Sequence, residues 1–566
     1  MPIADPTASQ LRNETQDINS QCKIVVYRWN IDNPVEPGES SRNVSALSSG
    51  FLSSLLPPAQ PSDAELAATE RLDISSQITF AEYNKDNSNA AGQFSFRLSN
   101  SPNLSGTSGD WADIIKEGMW CVIYMSQDGD LTMNPQVGPP LASSQVQEEA
   151  KKIRCIGFID RVAPNVTVGD ERGEFDVEYV IEGRDFGVVY EDTEIWHNLF
   201  QFDQTLLQSL ANNELNINGN TSIDQVLQII HDLFFNPANI DGADVNDLGS
   251  LTAISLQWLM PTELIQDVFG SLQGPVSLGS FWGELPTTNF EATTAGLAVE
   301  RPTDFLSGNA WAQLKKASVP EFHELYTETT ENGIPNLFFR PIPFSSGPPN
   351  QINAPTVAQN IIQYQNLPAT TVKAIDCIDL NLARDNHSRY NSFLATVSTD
   401  LFNTEDNISL LEGSRFPLFL QSSIRRYGFR PMHVQIDSII KNQAQDGAKG
   451  DRDILIEYNE VNFDYWRNLV FTYSGTAEVI GRNGIKIGQA LVFDRDVPYE
   501  ANRRYYIEGY NDTFEVDPEN GSTFWSQSLS LTRGIDSADL AGTGRIGERD
   551  TAFDREGEFT RSGSAG

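Results

Sequence analysis

The chain has 566 residues, too many for one hydrophobic core, and at roughly 100–200 residues per domain it should hold about three to five domains. With 39% hydrophobic and 10% aromatic residues, it has enough apolar surface to exclude wholesale disorder. A formal net charge of −38 excludes a protein that neutralises nucleic-acid phosphates or clings to an anionic membrane, and it favours neutral or basic partners.

Residues 1–20 read as a tail, with no basic and apolar leader pattern. Residues 21–200 read as strands. The first is 22–29 (CKIVVYRW), followed by 72–80 and 94–98. A short helix is expected over 110–116 with Asp110 as its cap. Residues 119–125 (MWCVIYM) form a continuous apolar run, which fits a strand covered on both faces. Phe175, Val177, Tyr179 and Ile181 alternate with Asp176, Glu178 and Glu182, the period of a half-buried strand. Asp128-Gly129 and residues 170–173 supply turns.

The texture changes over 201–370. Residues 222–235 place apolar side chains at helical spacing behind Ser222, and further helices are expected over 258–269, opening at Pro261, and over 309–317. Pro- and Ser-rich loops at 341–355 close this mixed α+β region. Strands return over 371–536. Ser528, Ser530 and Thr532 alternate with Trp525, Leu529 and Leu531, a second alternating run covers 454–459, and 443–453 is a polar loop. Residues 537–566 read as a flexible tail. The expected fold class is therefore mainly β, with two similar antiparallel β-barrel domains around a mixed middle region.

The two β regions resemble copies of each other. Gly118 opens an apolar run, and so does Gly488. The stretch from Arg154 is matched by the stretch from Arg504, and acidic Gly turns follow at 169–173 and 517–521. Alternating strands then end in Gly183-Arg184 and Arg533-Gly534.

Signals for chemistry are sparse. His197, His231, His323, His387 and His433 form no HExxH or HxH pattern. Cys22, Cys121, Cys155 and Cys377 lie far apart without a CxxC, which argues against a disulfide framework or zinc ribbon and for synthesis in a reducing cytoplasm. There is no nucleophile elbow, P-loop or dinucleotide fingerprint, and the acidic loops at 128–130 and 446–453 lack the EF-hand spacing. With 77 acidic residues, a glycosidase-like carboxylate pair carries no information. No run of about 18 apolar residues is present, so no membrane insertion is expected. No catalytic, cofactor-binding or metal-ligating residue is assigned.

Three stretches resemble the hub proteins of contractile phage tails and related injection systems, including the late control protein D group. The first holds Trp311, Glu324, Arg340 and Pro341, the last two inside LFFRPIPF. The second is the turn from Tyr427 to Arg430 (YGFR). The third ends in Arg533-Gly534. Together with the N-terminal block they cover about residues 20–535. The resemblance implies a β-rich homotrimer without an active site, with two barrels per subunit around a central channel. It also implies partners: a tail tube or distal tube-initiator protein, a separate trimeric spike protein, a tape-measure protein, and DNA that passes without specific binding. The place it implies is the virion tail baseplate. No lysozyme or peptidase motif is fused to the chain. Two other readings are a carbohydrate-binding or depolymerase virion protein, allowed by acids and aromatics, and another tail assembly protein. Tandem repeats or a β-helix period would favour the depolymerase, and neither is present; distal tail proteins tend to be shorter and to lack the mixed middle.

Overall fold

The computed structural model describes residues 20–29, 68–99, 110–131, 148–168, 175–195, 287–290, 308–318, 323–341, 367–383, 390–397, 418–419, 424–436, 473–494, 503–517 and 520–535, except 332 and 426, together with positions 227, 231, 264 and 268. The expected run at 454–459, the loop at 443–453 and both tails lie outside these residues. Of the helices expected over 222–235 and 258–269, only Leu227, His231, Leu264 and Val268 are described, all helical and buried.

The chain is mainly β. In its first part the strands are β1 (Gln21–Trp29), β2 (Ala68–Asp73), β3 (Ile78–Asp86), β4 (Gln93–Leu98), β5 (Trp120–Ser126), β6 (Ile153–Val168) and β7 (Phe175–Asp185). Every residue of β5 is buried, as its unbroken apolar sequence requires. The expected strand over 72–80 is broken. Asp73 Oδ1 accepts from the Ser75 backbone N–H at 3.1 Å, which ends β2, and a 3-10 turn at Ser75–Gln77 intervenes before β3. The helix expected over 110–116 is one turn, α1 (Trp111–Ile114). Asp110 and Asp113 form a capping box there, and Trp111 is fully buried.

The middle region holds α2 (Val188–Asp192), β8 (Glu194–Ile195), β9 (Thr287–Phe290), β10 (Gly308–Asn309), α3 (Ala310–Ala317), β11 (His323–Thr329) and β12 (Pro335–Pro341). Asn309 caps α3 by accepting from the Ala312 N–H at 2.8 Å. β11 and β12 form an antiparallel hairpin, and β9 runs parallel to β12. The last part holds β13 (Ala369–Val372), β14 (Cys377–Ala383), β15 (Ser392–Val397), β16 (Leu418–Phe419), β17 (Pro431–Ile436), β18 (Tyr473–Ile480), β19 (Ala490–Phe493), β20 (Arg504–Val516) and β21 (Thr523–Ile535). β15 to β17 make a small sheet of their own.

Among the described residues, thirteen strands form one continuous sheet, and its two halves repeat the same strand order. The first half runs β2, β1, β5, β6, β7, β4, β3, and the second runs β13, β19, β20, β21, β18, β14. β13 is parallel to β19, and β2 is parallel to β5 because β1 lies antiparallel between them. Among the described strands of this sheet, β1 is the one without a counterpart. Irregularities coincide as well. β6–β7 shifts register between Ile159 and Arg161, and β20–β21 between Ile507 and Gly509. β3–β4 shifts between Ile78 and Phe80, and β14–β18 between Cys377 and Asp379. A 3-10 turn precedes β3, and another at Ala374–Asp376 precedes β14. Gly118 at φ 82° donates to Ile159 O at 2.8 Å, and Gly488 at φ 78° donates to Ile507 O at 3.1 Å.

The correspondence differs by two residues from the one read in the sequence, which sets Arg154 against Arg504. Ile156 lies opposite Val122 and Arg504 lies opposite Val492, so Ile156 is the counterpart of Arg504. The halves join where residues 80–86 of β3 pair with 509–515 of β20. One hydrophobic cluster runs through both, from Val26, Ile123 and Cys155 to Leu491, Trp525 and Leu531. Each large side chain so buried contributes about 1.5–3 kcal/mol. No helix among the described residues is long and apolar enough to cross a membrane.

Candidate functional site: a buried ion network under the β11–β12 hairpin

Period-2 geometry puts Glu324, Tyr326 and Glu328 on one face of β11, and that face lies against the second half of the sheet. Arg340 sits directly across from Glu324 on β12, and the two form an ion pair. The guanidinium reaches past the hairpin to the Gly488 carbonyl at 2.6 Å and to Tyr506 Oη at 3.5 Å, with the Tyr326 ring 5.6 Å away. Tyr506 donates to Glu324 Oε2 at 2.5 Å. Burial works against the charge on Arg340, but Tyr326, Glu324 and Tyr506 outweigh it and hold its pKa well above the usual value. Gly488 is obligatory here: a Cβ would lie 2.3 Å from Tyr326 Oη and 2.9 Å from Arg340 Nη2, at a left-handed φ.

A second layer centres on Glu328. It accepts from Tyr510 Oη at 3.1 Å and from the backbone N–H groups of Thr329 at 2.8 Å and Ile487 at 3.3 Å, and Lys486 Nζ lies 3.8 Å away. Lys486 also donates to Thr329 Oγ1 at 2.5 Å. Burial pulls the Lys486 pKa down to about 8. Beneath lies Arg154, wholly enclosed. Its Nε donates to Asp512 at 2.7 Å, its Nη1 to the Ile485 and Asn483 carbonyls at 3.0 and 3.3 Å, and its guanidinium stacks 4.5 Å from the Tyr510 ring centroid. Asp512 also accepts from Trp525 Nε1 at 3.1 Å and Gln527 Nε2 at 2.6 Å. On the other side Lys85 donates to Asp185 at 2.5 Å, to the Ala90 carbonyl at 2.7 Å and to Thr327 Oγ1 of the hairpin at 2.8 Å. A cavity of about 390 Å3 adjoins the network, lined by Tyr326, Glu328, Phe338, Arg340 and Lys486 among others.

These charges pair with one another, with Arg154 Nη2 the donor that has no partner among the described residues. No nucleophile is paired with a free base in the network, and among the described residues no group of three His, Cys, Asp or Glu side chains is placed to hold a metal ion. Such an arrangement fixes the relative position of strands, because each buried charge costs several kcal/mol unless its partner stays in place.

The site residues named from the sequence fall into three places. Glu324, Arg340 and Arg533 converge on Tyr506, with the Arg533 guanidinium 5.3 Å from that ring at a positive φ of 56°. Pro341 ends β12 opposite His323. Gly534 gives room to Tyr505, whose ring a Cβ would approach to 2.2 Å. Trp311 lies apart on α3, facing Tyr190, and is linked to the hairpin through Lys315, which stacks over its ring and donates to Leu325 O at 2.6 Å. Tyr427 and Arg430 belong to a separate turn. Gly428 closes it at φ 80°, and buried Asn391 holds it by donating to Gly428 O at 2.7 Å and accepting from Arg430 N at 2.8 Å. Sequence reasoning did not identify Arg154, Asp512, Glu328, Lys486, Lys85 or Asp185. The available signal was alternation: Glu324, Tyr326 and Glu328 place two acids on one strand face, which requires buried cations elsewhere.

The sequence matches no family model and no curated protein. Among solved structures it is similar to a tail protein from Neisseria meningitidis MC58, at 12% identity and a TM-score of 0.40, over 83% of this chain and 94% of that one. It is likewise similar to the 43 kDa tail protein of prophage MuSo2 from Shewanella oneidensis, at 10% identity and a TM-score of 0.40, over 82% and 96%. A third is the E. coli c3393 protein, a component of the type VI secretion system, at 6% identity and a TM-score of 0.33, over 81% and 73%.

Proposed function

We propose that this protein is a structural hub of a contractile tail or related injection system, a homotrimer that joins a sixfold tube to a trimeric spike. The observation that carries the reading is the duplication of strand order and of the central register shift of the sheet within one chain. A closed trimer presents three equivalent surfaces, and doubling the module inside each subunit presents six. The resemblance of the Arg340, Tyr427 and Arg533 stretches to tail hubs points the same way, and Arg340 with Glu324 clamps the middle region to the second module. On this reading the domains are 21–200 and 371–536, one module each, with 201–370 as the mixed region.

The excess of acidic residues suits a bore through which DNA or an extended protein must slide, since like charge repels phosphate. It also makes assembly salt-dependent, because exposed charges are screened beyond roughly 10 Å at 0.1 M salt. Light scattering across a salt series tests this. The expected result is a trimer at moderate salt that weakens at low salt; a monomer at every salt would overturn the reading.

A further inference from the structure

Among the described residues the seam between the two halves is made once, and the parts for making it again lie at the far edges of the sheet. Residues 509–515 of β20 pair with 80–86 of β3. Their counterparts are residues 161–167 of β6 and the strand β14. Among the described residues, 161–167 bond only to β7, and β14 bonds only to β18.

The side chains differ in burial as an unmade seam would require. Phe514 and its opposite residue Ala81 are 4% and 0% exposed, and Tyr83, opposite Asp512, is 1% exposed. Val166, the counterpart of Phe514, is 52% exposed. Leu380 and Leu382, the counterparts of Ala81 and Tyr83, pack on the core but remain half-covered, and Ile378 on the same strand is 47% exposed. An edge carrying exposed branched apolar residues is a template for another strand. Pro164 in the middle of β6 fits an edge with no partner strand among the described residues, and it leaves a ladder on that side one donor short.

We propose that residues 163–167 of β6 pair antiparallel with residues 379–383 of β14 from a second copy of the chain, in the register of the internal seam. Val166 then lies opposite Leu380, Asn165 opposite Asn381 and Pro164 opposite Leu382. Each copy offers one of each edge, so the contact is head-to-tail rather than twofold, and three copies with a threefold rotation between them make a ring. This deepens the trimer reading by assigning its interface, and it is testable separately.

The test is disulfide trapping in the full-length protein. Directly opposed residues of an antiparallel pair hold their Cβ atoms about 4.5–5.5 Å apart, within reach of a small adjustment to a disulfide. The double variant Asn165→Cys with Asn381→Cys should give two-chain and three-chain species on a non-reducing gel after mild oxidation. Each single variant, and the mis-registered pair Asn165→Cys with Ile378→Cys, should stay at one chain. If the first pair impairs folding, judged by its melting curve, Ala163→Cys with Ala383→Cys tests the same register. A trimer by native mass that fails to cross-link through either pair overturns the seam and leaves the hub reading standing; a monomer overturns both.

Discussion

Removing Arg154 tests whether the buried ion network holds the two halves together. Arg154 and Asp512 have wholly buried side chains on β6 and β20, strands of different halves. Truncating Arg154 to Ala strands the Asp512 carboxylate, and breaking a buried pair costs about 3–5 kcal/mol. Asp512 keeps its bonds from Trp525 and Gln527, which limits that loss, while the Ile485 and Asn483 carbonyls lose their donor and Tyr510 loses a stacked cation worth about 1 kcal/mol. The net expectation for Arg154→Ala is about 3–4 kcal/mol. Arg154→Met with Asp512→Asn removes both charges, keeps most of the volume, and should cost less than the single truncation. Urea titrations at one fixed protein concentration would measure both, read as a shift in midpoint at constant slope. A loss below about 1 kcal/mol for Arg154→Ala, or a double variant as unstable as the sum of its singles, would refute the reasoning.

Arg340→Ala should lower folding yield or trimer yield, and Arg340→Lys should rescue only part, because Lys lacks the fork that spans Glu324 and the Gly488 carbonyl; soluble yield and native mass report both. Gly488→Ala should destabilise by at least about 1 kcal/mol through its positive φ and its clash with Tyr326, measurable by thermal unfolding. Lys486 titrates near 8 in the fold, below its ordinary value of 10.5, so its own contribution to stability should rise by about 2 kcal/mol between pH 8 and 10, against the opposite contribution of Cys22, Cys121 and Cys155, whose thiols burial holds protonated in the fold; the Lys486 share is the difference between the parent protein and Lys486→Met. Half-buried Lys315, also pulled down to about 8 by desolvation, adds in the same direction as Lys486, and Lys486→Met should flatten its share of the slope in denaturation midpoints taken across that range. Purified protein should not clear a suspension of cell-wall peptidoglycan; clearing abolished by a single Asp or Glu substitution would contradict a structural role.

Much of the sheet was legible because its strands carry their own periodicity. The apolar run of β5, the alternation of β7 and β21, and the paired glycines Gly118 and Gly488 are local signals, and the structure places them where that periodicity requires. The duplication was visible in order but not in register. Sequence matching weighs an Arg against an Arg, yet Arg154 is buried for a partner 358 positions away while Arg504 reaches the Leu367 carbonyl. The break at Asp73 was missed because it depends on one side-chain-to-backbone bond rather than on hydrophobicity. The ion network was missed for the same kind of reason: Glu328, Lys486 and Arg154 look like ordinary surface charges until three distant segments bring them together.

In the proposed assembly three copies of this chain arrange six equivalent sheet modules around one axis. An electron cryomicroscopy reconstruction of the purified assembly, computed without imposed symmetry, tests it most directly. The expected particle has three times the 62.8 kDa chain mass and is threefold overall, with residues 21–200 and 371–536 alternating around a bore as six similar modules. A particle in which these two regions lie at different radii, or one with no central opening, would contradict it.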